Sequence, residues 1–275
     1  MRLFFLFLLM ALFLWSCGKK SSRISGKKFD PDKITSFEDG IYQAILKPMN
    51  IPHTGPINAS INIVKSNDEL RFHMRFRGLS AEVIHPQNIH SGFRCPDDSD
   101  DLNQDGYIDA SEGRRVYKEI LIPLDDELKS QRVGSGIFPI SNQFGQYLWS
   151  RSTSLKNLLN DLYDEDIHAF DEIIKLKASE TFRLRDKVVV ISGIEANHPL
   201  PESIQVPMKL NPHQSFPIAC GMIKKLTHVP GRIDNDQTDF PLPDGEYNRR
   251  VTEKDDGADF ERTQPDGVQD YGNFL

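Results

Sequence analysis

The stretch Leu70–Arg77 alternates without a break. Leu70, Phe72, Met74 and Phe76 fall on one side, and Arg71, His73, Arg75 and Arg77 on the other. Successive strand side chains point to opposite faces, so this segment must bury one face and wet the other. The same period runs through Ile41–Leu46 and Ile57–Val64, and Ser66-Asn67-Asp68-Glu69 supplies turn chemistry for a hairpin between Ile57–Val64 and Leu70–Arg77. Further strands are predicted at Tyr117–Leu121, Gly136–Ile140, Gln146–Ser150, Lys187–Gly193 and Phe216–Leu226. Val188-Val189-Val190-Ile191 is a β-branched run suited to a strand buried on both faces. Leu155, Leu158, Leu159 and Leu162, behind Ser154 as a cap, predict one short helix over Ser154–Tyr163. Short strands at close intervals predict an all-β sandwich or barrel rather than alternating β/α units.

The N-terminus reads as an address. Met1-Arg2 is followed by an apolar run from Leu3 to Trp15, about 20 Å of helix, short of a membrane span and right for a signal-peptide core. It ends in Leu14-Trp15-Ser16-Cys17, which resembles a bacterial lipobox with Trp15 bulkier than usual. The expectation is a signal peptide over 1–16 and lipid on Cys17, anchoring the body to the cell envelope, outer membrane or surface, through its acyl chains. The alternative is an ordinary cleaved signal or an N-terminal anchor. Residues 17–38, with five Lys/Arg among Ser and Gly over residues 19–28, read as a flexible basic tether.

Charge divides the rest. The net charge of −7 lies entirely in residues 231–275, which hold 12 acids and 5 bases. The region 228–275, with Pro230, Pro241, Pro243 and Pro265, reads as an acidic, mostly disordered tail, leaving 39–227 as the folded domain. A neutral body excludes nucleic acid as a partner, because phosphate contacts need clustered Lys/Arg. Outside the cytoplasm, Cys95 and Cys220, the even remainder after Cys17, suggest a disulfide, with two free thiols as the alternative.

The strongest chemical motif is Asp101-Leu102-Asn103-Gln104-Asp105-Gly106-Tyr107-Ile108-Asp109-Ala110-Ser111-Glu112, which fits the twelve-position EF-hand calcium loop throughout. Calcium takes six to eight hard oxygens. Asp101, Asn103 and Asp105 offer side-chain oxygens, Tyr107 its carbonyl, Asp109 a direct or water-mediated contact, and Glu112 two oxygens. Gly106 permits the sharp turn, and Ile108 is expected to pack inward. The alternative is an acidic surface loop without metal, in which four carboxylates repel one another. Cys95-Pro96 before the loop and Gly113 after it are not EF-hand flanks, so the loop reads as a structural staple between strands and not as a sensor.

Three segments together resemble Cu/Zn superoxide dismutase and its secreted relatives, including chordin-type (CHRD) domains. They are Leu70 to Gly78-Leu79 and His85-Pro86-Gln87-Asn88-Ile89-His90-Ser91-Gly92; Val188–Gly193; and Ile218-Ala219-Cys220-Gly221-Met222-Ile223. The resemblance spans about residues 60–227. It implies a Greek-key (immunoglobulin-like) β-sandwich and pairs the terminal Cys with one soon after the His motif, where Cys95 stands. The chemistry departs from the family. Asn88 stands where the first copper His belongs, Ser192 where another does, and Pro217 where the superoxide-guiding Arg does; His168 stands alone where the zinc loop would be. Dismutase activity is therefore not expected. His85 and His90 could still form a small copper or zinc site, the alternative being hydrogen-bonded structural histidines. No G-x-S-x-G, P-loop or H-E-x-x-H motif is present. The expected function is non-enzymatic: a calcium-binding envelope lipoprotein with a structural or interaction role. The alternatives are a copper/zinc-binding relative of superoxide dismutase and a binding module for a protein or polysaccharide.

Overall fold

The computed structural model describes residues 37–128, 137–163, 173–177, 180–207 and 210–227. The expected signal peptide 1–16, Cys17, most of the expected tether, His168 and the acidic region 228–275 lie outside the described residues. Within them, nine strands form: β1 (Gly40–Pro48), β2 (Asn58–Ser66), β3 (Glu69–Arg77), β4 (Gln87–His90), β5 (Ile120–Pro123), β6 (Tyr147–Ser154), β7 (Val188–Ser192), β8 (Pro217–Met222) and β9 (Lys224–Lys225). The hydrogen-bonded order is β5-β4-β7-β8-β1-β2-β3-β6, with β9 beside β1. Every pairing between these strands is antiparallel. The non-consecutive neighbours β3/β6, β4/β7 and β8/β1 require connections that cross between layers, as in Greek-key sandwiches. The fold is an all-β sandwich, as the alternation predicts.

Strand β1 joins the two layers. Gly40–Leu46 pairs with β2 in sheet A (β9, β1, β2, β3, β6), whereas Lys47 and Pro48 pair with Cys220 and Ala219 of β8 in sheet B (β5, β4, β7, β8). Between the sheets lies the main core, in which Ile61, Ile63, Leu70, Phe72 and Phe76 face Ile89, Ile122, Val189 and Ile191. The buried polar Gln87 is satisfied inside this core: Tyr147 Oη–H donates to its Oε1 at 2.7 Å, and its Nε2 donates to the Leu124 carbonyl at 2.7 Å.

Sheet B is covered on its other face as well. Val188, Val190 and Cys220 pack with Met49, Ile108 and Tyr117 in a second apolar cluster, with Cys95 and Met222 at its margin. This explains why Val188–Ile191 is apolar at every position: both faces of β7 are dry. Cys95 and Cys220 form a disulfide, Cα to Cα 5.7 Å, which ties the approach to the acidic loop onto β8.

Among the described residues there are four α-helices, against the one that the apolar spacing predicts: α1 (Ile51–Thr54), α2 (Ala110–Tyr117), α3 (Leu155–Leu162) and α4 (Pro212–Ser215). Helix α3 is the predicted one; the Asn157 N–H donates to Ser154 Oγ at 3.0 Å, and Leu155, Leu158, Leu159 and Leu162 are buried. Helix α2 overturns the strand start at Tyr117. Its capping box joins Asp109 and Glu112, and Lys118, at φ 66°, turns the chain so that β5 begins only at Ile120. Gly113 hid it from propensity, yet a Cβ there would meet the Tyr117 ring at 2.5 Å, so close packing requires the glycine. Of the strand expected at Gly136–Ile140, the described residues 137–140 contribute one bridge, between Ile84 and Ile140, and the strand expected at Phe216–Leu226 breaks at Ile223 into β8 and β9.

Replacing both cysteines of the disulfide (Cys95→Ser with Cys220→Ser) is expected to lower the unfolding free energy by about 2–5 kcal/mol, because the open chain regains loop entropy over a separation of 125 residues. Urea unfolding of the full chain checks this; unchanged stability would contradict it.

Candidate functional site

The chain enters the acidic loop through a single 3-10 turn at Asp98–Asp100 and leaves it through α2. Arg94 fixes the entry with two parallel bonds of 2.7 Å to Asp100, and this pairing holds the Asp100 carboxyl below its ordinary range. The exit is fixed by the α2 capping box.

Inside the loop the side chains fold onto its own backbone. Asp101 Oδ2 accepts from Gly106 N–H at 2.9 Å, and Asp101 Oδ1 from Asp105 N–H at 3.2 Å. Asn103 Oδ1 accepts from Asp105 N–H at 3.0 Å, and Asp105 Oδ1 from Tyr107 N–H at 2.9 Å. Glu112 reaches back from α2 to the loop's start, where its Oε1 accepts from Leu102 N–H at 2.8 Å and Asn103 N–H at 3.2 Å. Gly106 sits at φ 86°, the left-handed turn for which the glycine was expected. Positions 1, 3, 5 and 12 of the motif are thus drawn into one closed turn.

Asp109 is placed differently from a free ligand. It is buried, its Oδ1 accepts from Ser111 and Glu112 N–H at 2.8 and 2.9 Å, and its Oδ2 accepts from Gln205 N–H at 2.7 Å. Its charge caps α2 and tethers the 201–206 segment. Ser203 Oγ–H donates to Asp105 Oδ2 in the same region. The Tyr107 and Phe216 rings meet in a T-shaped pair at 5.9 Å between centroids, and Ile108 enters the second apolar cluster as the motif predicts.

Three partners of this loop were missed by sequence reasoning: Asn50, Ser203 and Gln205. Asn50 lies 58 residues from Ile108, and Gln205 lies 96 from Asp109. Nothing local marks such residues; only the sandwich brings them to the loop.

Among the described residues, no three His, Cys, Asp or Glu side chains stand close enough together, as placed, to hold a metal ion. The carboxylates are instead turned onto loop amides. Their chemistry is nevertheless of one kind, hard oxygen from Asp101, Asn103, Asp105 and Glu112 with the Tyr107 carbonyl beside them, and it matches a calcium donor set.

The histidines are kept apart. His85 stacks on Tyr147 at 6.0 Å between ring centroids, with its nitrogens 3.1 Å from the Ser192 carbonyl and 3.4 Å from the Ser80 carbonyl. His90 packs against Tyr117 at 4.5 Å, with Nδ1 2.8 Å from the Lys118 carbonyl; a carbonyl only accepts, so this nitrogen carries the proton. Tyr147 belongs to the main core and Tyr117 to the second cluster, so His85 and His90 face different packing environments. On the outer face of sheet A, His73 Nδ1 lies 3.0 Å from Ser150 Oγ, in an open polar depression of about 380 Å³.

No protein-family model matches the chain, and no curated protein matches it. A solved structure described as the clock protein EA4 aligns with a TM-score of 0.34 at 12% identity, covering 69% of this chain and 97% of that chain. A likeness at that level bears on neither ligand nor activity.

Burial gives His90 a measurable signature. Desolvation lowers it from 6.5 to about 4, outweighing the hydrogen bond to Lys118. Between those values the unfolded chain holds the proton and the folded chain does not, so stability falls as pH falls from 6.5 toward 4. The loss amounts to about 3 kcal/mol. Asp125, raised by burial to about 6, acts with the opposite sign and is common to wild type and variant. In urea titrations, His90→Gln is therefore expected to lose about 3 kcal/mol less than wild type between pH 7 and pH 4. Equal losses would contradict the burial.

Proposed function

We propose that this chain is a calcium-binding lipoprotein of the cell envelope, whose disulfide-stapled β-sandwich has a structural or interaction role rather than a catalytic one. The observation that carries this reading is the closure of the 101–112 loop. Asp101, Asn103 and Asp105 fold into one turn, and Glu112 returns from α2 to the amides of Leu102 and Asn103. Calcium would be held by the side chains of Asp101, Asn103, Asp105 and Glu112 and by the carbonyl of Tyr107, with Asp109 contributing through water while it caps α2. The ion supplies positive charge among carboxylates that otherwise repel one another.

The role follows from what the loop covers. Ile108 packs on Val188, Val190 and Cys220, so a closed loop keeps the outer face of sheet B dry. Calcium would then act as a stabilising staple; extracellular modules work with affinities of about 10⁻⁴–10⁻³ M. The envelope address rests on the signal-like run to Trp15 and on Cys17 in its lipobox-like setting. Among the described residues no helix is long and apolar enough to cross a membrane. The superoxide dismutase reading is the weaker one, because the two histidines it would recruit are packed apart.

The test is thermal unfolding of the full chain in detergent, with EDTA or with calcium at about 100 times its Kd. Calcium is expected to add about 2.7 kcal/mol of stability, and Asp101→Ala or Glu112→Ala to abolish the gain. No response to calcium, with a large response to stoichiometric copper or zinc, would overturn the proposal.

A further inference from the structure

One side chain outside the loop holds its hinge. Asn50 follows β1 and precedes α1, with its backbone in the left-handed region at φ 53° and ψ 41°. Its amide is fully used. Asn50 Oδ1 accepts from Ile108 N–H at 2.8 Å, and Asn50 Nδ2 donates to the Ile108 carbonyl at 3.1 Å. Nδ2 also donates to the Pro217 carbonyl, the first residue of β8, at 2.9 Å. Both backbone polar groups of Ile108 are thus satisfied by one carboxamide, the pair of bonds a neighbouring strand would otherwise supply. A side chain with one acceptor and two donors is needed to serve all three groups. Next to it, Met49 N–H donates to the Ile218 carbonyl at 2.8 Å, so the junction is anchored to β8 by backbone and side chain together.

We propose that Asn50 is the positioning residue of the calcium loop: it holds Ile108 against sheet B and so restricts the loop to closed forms, from which the carboxylates need only turn off the loop amides to take the ion. This inference rests on the calcium reading above. Two of the proposed oxygens, the Tyr107 carbonyl and the Asp105 carboxylate, lie within three residues of Ile108 on its N-terminal side. Fixing Ile108 therefore limits where they can be. Without Asn50 the competent loop is only a fraction of the ensemble, and the apparent affinity falls by that fraction. The coupling is reciprocal, so bound calcium tightens the contact between the loop and β8.

Calorimetric calcium titration of the full chain in detergent tests this, with Asn50→Gly and Asn50→Asp compared with wild type. Glycine keeps the left-handed backbone and removes the amide; aspartate keeps the acceptor and loses both donors. Ile61→Val, within the core of sheet A and away from the loop, serves as a comparator that lowers stability. The expected result is a Kd weakened about tenfold or more in Asn50→Gly, a smaller weakening in Asn50→Asp, and an unchanged Kd in Ile61→Val. If Asn50→Gly does not fold, Asn50→Asp decides alone. Wild-type affinity in a folded Asn50 variant that has lost stability would overturn the inference and leave calcium binding standing. A wild-type chain that binds no calcium would overturn the calcium reading and this inference with it.

Discussion

The outer face of sheet B is apolar, and the rest of the arrangement answers to that constraint. Val188 and Val190 of β7 and Cys220 of β8 are buried there. Left open, such a face would put contiguous apolar surface in water. Among the described residues the cover is neither a third sheet nor a long helix. It is one polar loop and the short α2, which contribute Ile108 and Tyr117, with Met49 from just after β1 beside them. A loop so rich in carboxylates is a poor lid unless its charges are organised, and the residues proposed to hold calcium serve that organisation.

Three tethers converge on the lid from separate parts of the chain. The disulfide from Cys95 holds its approach to β8, Asn50 holds its middle to the β1–β8 corner, and Asp109 holds its end to Gln205. The corner exists because β1 changes partner, leaving β2 after Leu46 and taking β8 at Lys47. The residue that closes the sandwich and the residue that clamps the loop are therefore two or three positions apart. If the loop takes calcium as proposed, ion binding is linked to sandwich stability.

Much of this was legible in the residues. Period-two alternation located β1, β2 and β3, and the unbroken apolar run at Val188–Ile191 announced a strand dry on both faces. The loop motif placed Gly106 in its left-handed turn and Ile108 in the core. What stayed hidden depended on distant partners. Asn50 looks like turn chemistry, and only the fold brings its amide to Ile108. Asp109 fits a ligand position in the motif, but the N-terminus of α2 and the Gln205 amide compete for its oxygens. Helix α2 was obscured by Gly113, whose missing side chain makes room for Tyr117. His85 and His90 lie close in sequence, yet their ring partners belong to different apolar clusters, a separation that spacing alone does not reveal.

Amide hydrogen exchange on the full chain, with and without calcium, tests the central claim most directly, because it reads where an ion's stabilisation is felt. If calcium closes the lid on sheet B, exchange slows at Gly106 and Ile108 and also at Met49, whose N–H bonds Ile218 at the corner. Slowing confined to residues 101–106, or no slowing at all, would contradict a calcium staple that holds the sandwich together.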